Sequence, residues 1–291
     1  MSLPIKKFYV DSLFKLPESL DSASFRIELP YAITMPSNSA FTVDEICIPH
    51  AWYNIESNIN DKLYMHTLND LNNTYNRTSK VITIPPGNYT GDLLKTTLQA
   101  LITAAFVSVG LFEVSYDSTT FSITIKVAMG NTVIHFWLLS DKEIATLYNG
   151  LWSLSGAGAF DRTNPASMNE VLRNYGDYNG ATPMNNTASP YKSGFLNFQG
   201  INNIYLSSPN LGCLNTMGPR GEQTIIKKIP VSSEFGYMII DRSVSQHDYL
   251  ECGKTTLRTL EFNLRDAKGR FIPLHNANVS FSLVFSIKSE D

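Results

Sequence analysis

The sequence contains few cysteines, and no motif pairs them. Its 291 residues include Cys47, Cys213 and Cys252, which lie far apart and form no C-x-x-C pair. Zinc sites and disulfide frameworks need cysteines in recognisable spacings. We therefore expect three reduced thiols and folding in a reducing cytosol.

An excess of charge of one sign is also missing. The formal net charge is -3, and acidic and basic residues are spread along the chain. Nucleic-acid-binding domains concentrate Lys and Arg on one face, so no direct nucleic-acid partner is expected. Lys6, Lys7, Asp11 and Lys15 interrupt the apolar positions of Met1–Asp21. This predicts neither a signal peptide nor a membrane span there.

Catalytic and metal-binding motifs are equally scarce. The five histidines have no recurring ligand spacing, and no G-x-S-x-G elbow occurs. Gly253-Lys254-Thr255 resembles the end of a phosphate-binding loop, but Asp248 stands where that loop requires glycine. We therefore predict that Gly253-Lys254-Thr255 is a turn that leads into a strand. From the scarcity of these motifs, we predict that the chain is not an enzyme and has no cofactor or metal site.

Two groups of residues leave other chemistry open. His247-Asp248 precedes Cys252 closely enough to suggest a nucleophile and its base, although neighbours in sequence do not orient side chains across a strand. Glu251, Glu261 and Asp266 could line a sugar site. Strand edges commonly carry such charges, however, because they discourage edge-to-edge pairing.

The pattern that dominates the chain is an apolar residue at every second position, which is typical of strands buried on one face. It is clearest in the final strand, where the apolar positions are Val279, Phe281, Leu283, Phe285 and Ile287. Phe25–Leu29, Phe41–Ile48 and Leu260–Leu264 show the same alternation, with a phase slip at Asp44-Glu45 that predicts a β-bulge. We predict a mainly β fold, a single jelly-roll β-sandwich.

One block, Val81–Gly150, follows different rules. Thr90–Ala105 has apolar residues at helical spacing, with Thr90 as the N-cap. Strands at Val81–Ile84, Phe112–Tyr116, Phe121–Val127 and Val133–Leu139 surround it, and Ser140 opens a short second helix that ends at Gly150. The block is therefore predicted to be a small α+β domain inserted into the sandwich.

The next segment, Ser153–Ser193, is rich in Gly, Asn, Pro and Ser. Long loops of this kind are usually functional, ordered by a partner, or disordered. Tyr175, Tyr178 and Tyr191 are candidate contact residues, because tyrosine buries a large area at modest entropic cost; a loop packed on its own domain is the alternative. The predicted domains are residues 1–80 and 190–291 for the jelly roll, 81–150 for the insert, and 151–189 for the connecting loop.

Three strings, taken in order, resemble a known family. They are Ile48-Pro49-His50-Ala51-Trp52-Tyr53-Asn54-Ile55, Ile84-Pro85-Pro86-Gly87-Asn88-Tyr89-Thr90, and Leu264-Arg265-Asp266-Ala267-Lys268-Gly269. They are similar to strings in the penton, or vertex, proteins of virophages and of Polinton-like or adintovirus-like elements, which are minor capsid proteins. Ser153–Ser193 has no counterpart among these strings.

The resemblance implies a structural protein of the virion, synthesised in the host cytoplasm, that forms a homopentamer at each vertex of an icosahedral capsid. Its partners would be the major capsid protein and, through the outward-facing insert, a host-surface receptor. Met1–Lys15 is predicted to be an arm that contacts a neighbouring protein, with Lys6, Lys7, Tyr9 and Phe14 as contact residues.

A second function remains open, namely a carbohydrate-binding or host-attachment module, because lectins also use jelly rolls. Trp52, Tyr53, Trp137 and Trp152 could supply the faces on which sugars stack. Trp137 lies within an apolar strand, where packing in the core is the usual role. A vertex protein should form pentamers or require partner capsomers, whereas an attachment module should be monomeric or trimeric and bind glycans.

Overall fold

A computed structural model describes residues 6–71, 74–107, 112–128, 133–139, 166–173, 184–185, 190–211 and 216–287. The chain divides into two compact units, one from Met1–Trp52 and Ile201–Asp291 and the other from Tyr53–Gly200. The second therefore interrupts the first in sequence. We call them the sandwich unit and the inserted unit.

The regular elements are mostly antiparallel strands, which confirms the prediction of a mainly β fold. In chain order the strands are β1 (Lys6–Asp11), β2 (Ser24–Thr34), β3 (Ser39–Pro49), β4 (Lys62–Leu71), β5 (Thr74–Thr83), β6 (Phe112–Asp117), β7 (Ser122–Val127), β8 (Val133–Leu138), β9 (Met184–Asn185), β10 (Tyr191–Lys192), β11 (Asn203–Ser207), β12 (Ile225–Pro230), β13 (Met238–Asp241), β14 (Leu250–Glu251), β15 (Thr256–Arg265) and β16 (Ser280–Ile287). The helices are α1 (Gly91–Ala105) and α2 (Asn169–Leu172). Short 3₁₀ turns form at Ser12–Phe14 and Gln246–Asp248.

The sandwich unit has two sheets. The first has the order β1-β16-β3-β13, with the short β14 also paired to β3, and the second has the order β12-β11-β15-β2. Eight strands of this unit, leaving out the short β14, can be counted in chain order as β1, β2, β3, β11, β12, β13, β15 and β16. In that count, the strand order is 1-8-3-6 in the first sheet and 2-7-4-5 in the second. This is the strand order of a jelly roll. Among the described residues, β1 and β13 form opposite edges of the first sheet.

The alternating apolar residues fill the space between the two sheets. Phe281 of the first sheet lies 4.8 Å from Phe262 and 6.5 Å from Phe25 of the second, measured between ring centroids. All three side chains are buried. The predicted slip in β3 is confirmed, because Ser282 pairs with Glu45 and the next residue, Leu283, pairs with Val43, so that Asp44 is left over as a bulge.

A buried ion pair links the two sheets at the β12 and β13 edge. Lys227 of β12 donates hydrogen bonds to the Val43 carbonyl oxygen at 3.1 Å and to the Ser243 carbonyl oxygen at 3.0 Å. Its Nζ lies 3.6 Å from the Asp241 carboxylate of β13. Burial by itself raises the pKa of Asp241, but hydrogen bonds from Ser243 and the charge of Lys227 outweigh it and lower that pKa.

The inserted unit has its own core, formed around α1. Thr90 caps this helix as predicted, its hydroxyl oxygen accepting a hydrogen bond from the Leu93 amide at 3.3 Å. The strands form two sheets, β10-β7-β6 and β5-β4-β8-β9. The helix packs against β5, β6 and β7 through its buried residues, which include Leu94, Leu98 and Ile102. The predicted helix from Ser140 to Gly150 lies outside the described residues.

The structure sets the domain boundaries differently from the expectation. Residues 53–80, assigned to the jelly roll, belong to the inserted unit, because β4 pairs with β5 along its full length and with β8 on its other side. Residues 190–200 belong to the inserted unit as well, since β10 pairs with β7. Of residues 151–189, which were expected to be a loop, 166–173 and 184–185 are described and include α2 and β9.

Gly253-Lys254-Thr255 is a turn, as the sequence predicted. It joins β14 to β15, and a side chain at Gly253 would overlap the backbone carbonyl of Ser37. Lys254 takes a φ of 62°, a left-handed conformation suited to a tight turn. Among the described residues, no helix is long and apolar enough to cross a lipid bilayer.

Replacing Lys227 with methionine should destabilise the protein, because Asp241 would stay buried without its cation. We expect a loss of about 3 to 5 kcal/mol in the free energy of unfolding, measured by urea denaturation at neutral pH. Lys228→Met is the matched control, since Lys228 is the exposed neighbour on the same strand, and it should change stability by less than about 0.5 kcal/mol.

The same pair predicts a pH dependence. The pKa of Asp241 is lower in the folded protein than in the unfolded chain, so its contribution to stability is present above the unfolded pKa and is lost as pH falls through the folded pKa. The stability difference between wild type and Lys227→Met should therefore shrink in acid. If the stability difference between the two proteins is the same at neutral and at acidic pH, the role given to the Lys227–Asp241 pair is contradicted.

Candidate assembly surfaces

Large apolar side chains are exposed at the β1 edge of the sandwich unit, on β1, on the 3₁₀ turn that follows it and on β2 beside it. We call Tyr9, Leu13, Phe14 and Tyr31 the β1-edge patch; their exposed fractions are 81%, 62%, 78% and 59%. Large exposed apolar side chains grouped in one region of a soluble protein can mark a site of interaction. The patch is therefore the first candidate contact surface.

The backbone beneath this patch is firmly anchored. Ser12 is fully buried, its amide donates to the Val279 carbonyl oxygen at 2.9 Å, and its hydroxyl oxygen accepts from the Val279 amide at 2.9 Å. The Asp11 carboxylate accepts a hydrogen bond from the Leu13 amide at 2.9 Å. The 3₁₀ turn thus presents Leu13 and Phe14 on a fixed backbone, which reduces the entropic cost of binding.

Tyr9 and Phe14 also line a groove of about 870 Å³. The polar groups around it are already engaged: Lys7 donates to the Asp44 carboxylate at 2.6 Å, and this hydrogen bond raises the pKa of Lys7. At the groove floor, burial together with the nearby Glu45 raises the pKa of the Cys47 thiol. The groove therefore offers aromatic surface, and its thiol stays protonated at neutral pH.

Lys7, Tyr9 and Phe14 line one groove, and Lys6 lies beside Tyr31; their contact with a partner stays a prediction. Lys6 Nζ lies 5.1 Å from the centre of the Tyr31 ring, which places its charge within the β1-edge patch. The expectation of a separate arm is wrong for residues 6–15, however. β1 pairs with β16 along its full length and buries Val10, so these residues are part of the sandwich.

The prediction that Tyr191 contacts a partner is also wrong. Its side chain is 2% exposed and packs in the core of the inserted unit, and burial raises its pKa. The Tyr191 hydroxyl has no hydrogen-bond partner among the described residues. A tyrosine beside a glycine- and serine-rich loop resembled a contact residue because the sequence did not reveal that β10 pairs with β7. Tyr175 and Tyr178 lie outside the described residues.

A second group of exposed apolar side chains lies at the opposite edge of the first sheet. We call this group the β13-edge patch, and it consists of Phe235, Tyr237, Met238, Ile240 and Val244. The most exposed are Tyr237 at 67% and Ile240 at 52%. This patch is therefore the second candidate contact surface.

The β13-edge patch is also anchored by its backbone. The Gly236 amide donates to the His50 carbonyl oxygen, and the His50 amide donates to the Tyr237 carbonyl oxygen, both at 2.9 Å. Gly236 adopts a φ of 86°, which favours glycine. Below this turn, the ring of His50 packs on the ring of Trp52 with centroids 4.2 Å apart.

Sequence reasoning missed the β13-edge patch. The available signal was the string Glu234-Phe235-Gly236-Tyr237-Met238, in which two aromatic residues flank a glycine in a stretch without strand alternation. Turns are normally polar, so large apolar residues at a turn indicate a surface that contacts another molecule. Without the fold, nothing in the string relates it to β1.

The geometry gives little support to the alternative hypotheses of a catalytic site at Cys252 or a sugar site at Glu261 and Asp266. Cys252 is buried, and burial raises the pKa of its thiol to about 11, so it is protonated at neutral pH. Glu261 and Asp266 do line one pocket, of about 450 Å³. Their carboxylates, however, already form ion pairs with Arg26 and Arg270, at 2.9 Å and 2.6 Å. Among the described residues, no group of three or more His, Cys, Asp or Glu side chains is placed to hold a metal ion.

The proposed sugar-stacking residues are also less available than expected. Trp52 is 1% exposed and Trp137 is 8% exposed, so neither offers an open ring face. Tyr53 is partly exposed, and Trp152 lies outside the described residues.

Comparison with known proteins gives a likeness of structure but not of sequence. No protein-family model matches the chain, and no curated protein matches its sequence. Among solved structures, the chain is similar to one described as the crystal structure of selenomethionine-labelled mavirus penton protein, with 12% sequence identity and a TM-score of 0.48. The alignment covers 97% of this chain and 100% of that one. A likeness at this identity and TM-score does not show that the two proteins share a function.

Replacing Tyr191 with phenylalanine should leave the protein as stable as wild type or more so. The change removes a buried hydroxyl that lacks a partner among the described residues and keeps the ring, so we expect a gain of up to about 1 kcal/mol in the free energy of unfolding. Tyr9→Phe, at an exposed position, is the control and should have no effect. A clear loss of stability for Tyr191→Phe would contradict this description of the hydroxyl.

Proposed function

We propose that this protein is a structural subunit of an icosahedral virus capsid, where it forms the vertices as a homopentamer beside the major capsid protein. The observation that carries the proposal is the pair of anchored apolar patches at opposite edges of one jelly-roll sheet. A ring closes through heterologous contacts, which need two different complementary faces on each subunit.

The sequence supports the same proposal. The strings at 48–55, 84–90 and 264–269 resemble those of vertex proteins and occur in the same order. Of the groups considered for catalysis or sugar binding, the Cys252 thiol is protonated, and the Glu261 and Asp266 carboxylates are already paired. A role in assembly therefore accounts for more of the exposed surface than an enzymatic role does.

The inserted unit is proposed to face away from the particle and to contact a host surface. Its exposed aromatic residues support this role: Phe121 and Phe195 are 45% and 62% exposed, with ring centroids 5.8 Å apart. Phe121 lies at the turn between β6 and β7 with a φ of 49°, which is unusual for a bulky residue. Backbone strain of this kind often accompanies a functional surface.

Native mass spectrometry of the purified protein tests the proposal. We expect a pentamer of the 32.5 kDa chain, either alone or after addition of its capsid partners. The double variant Tyr9→Ser, Phe14→Ser should remain folded and lose the pentamer, because it removes apolar area only from the β1-edge patch.

Phe195→Ser is the control, since it removes an exposed aromatic side chain from the inserted unit, and it should leave the pentamer intact. A wild-type monomer or trimer that partners do not change would contradict the vertex function. Glycan binding by such a species would favour the attachment module instead.

A further inference from the structure

The two apolar patches carry opposite charge. β1 and its 3₁₀ turn, residues 6–15, contain Lys6 and Lys15 against Asp11, a net charge of +1 when Lys7 is set aside with its partner Asp44. Along the opposite edge, residues 234–251 contain the exposed Glu234, Asp248 and Glu251, a net charge of -3 when Asp241 and Arg242 are set aside with their partners Lys227 and Glu45.

This charge distribution distinguishes the possible pairings between copies. If a patch met its own counterpart on a second copy, like charges would face one another across the contact, which would disfavour that pairing. If the two different patches met, Lys6 and Lys15 would face Glu234 and Glu251. A contact of this second kind is heterologous and repeats around a ring.

The shape of the sandwich unit adds a second argument. The patches lie on β1 and β13, at opposite edges of one sheet, so one subunit cannot bring its own two patches together. Each patch places aromatic residues on a turn held by backbone hydrogen bonds. Aromatic anchors that are ordered before binding are typical of the energetic centre of an interface.

We propose that the β1-edge patch of each copy packs against the β13-edge patch of the next copy, so that this head-to-tail contact builds the assembly. The proposal deepens the proposed function and rests on it. The occupant of each patch is therefore a second copy of this chain. Phe14 and Tyr237 are the central apolar residues of the contact, and the lysines and glutamates form its charged rim.

Charge reversal tests the pairing directly. The variant Lys6→Glu, Lys15→Glu reverses the rim of the first patch, and Glu234→Lys, Glu251→Lys reverses the rim of the second. Lys7 is left unchanged because it pairs with Asp44, and Asp248 because its carboxylate accepts a hydrogen bond from the Ser245 amide. In sedimentation velocity at low salt, the assembly of each double variant should have a dissociation constant at least about tenfold higher than that of wild type.

The chain that carries all four substitutions is the decisive variant. Its two patches are again of opposite sign, so it should assemble as wild type does. The two double variants, mixed, should also associate with each other, in chains or even-numbered rings. Melting temperatures close to that of wild type would show that every variant is folded, since the four side chains lie at or near the surface.

Several results would overturn the proposal. If both double variants assemble like wild type, the patches are not at the contact. If the fourfold variant fails to recover while wild type assembles, the two patches do not meet each other, and the vertex function stands without this pairing. If wild type never associates, alone or with capsid partners, the vertex function fails as well.

Discussion

The packing of Phe281 against Phe262 and Phe25 is the contact on which the rest of the sandwich unit depends. It joins the two sheets through buried aromatic rings, and it requires each strand to turn its apolar side inward. That requirement fixes the register of β3 and β16, including the bulge at Asp44, because a slip of one residue would turn every apolar side chain outward. It also determines which side chains remain on the outer face of the sheet.

Two open sheets that enclose a core still have edge strands, and the residues at these edges differ between the inside and the outside of the sandwich. Inside the β12 and β13 edge, Lys227 supplies the hydrogen bonds and charge that join the sheets. On the outside, the patches at β1 and β13 keep large apolar residues in solvent on turns that are tied to the sandwich by backbone hydrogen bonds. An isolated subunit gains nothing from exposing Phe14 and Tyr237. In the proposed assembly, the same residues would form the contact between copies.

Local patterns in the sequence predicted much of the fold. Period-two alternation located β16 and β15, a phase slip located the bulge in β3, and the cap at Thr90 located the start of α1. Each of these features is decided by residues within a few positions of one another. The prediction for the candidate site was partial, because Lys7, Tyr9 and Phe14 line one groove but lie on a strand and a turn of the sandwich, not on an arm.

The failures arose where long-range pairing decides the outcome. Tyr191 is buried because β10 pairs with β7, about seventy residues earlier in the chain. Residues 62–71 belong to the inserted unit because β4 pairs with β8, and their mixed polar composition gave no sign of it. The β13-edge patch became recognisable only when the strand order placed β1 and β13 at opposite edges of one sheet.

Hydrogen exchange measured by mass spectrometry, on dilute and on concentrated protein, would test the central claim most directly. If copies associate head to tail, association should slow exchange in peptides from both edges, residues 6–15 and 234–244, and leave the turn between β6 and β7 unchanged. Protection at only one of the two edges, or at neither while the protein associates, would contradict the account.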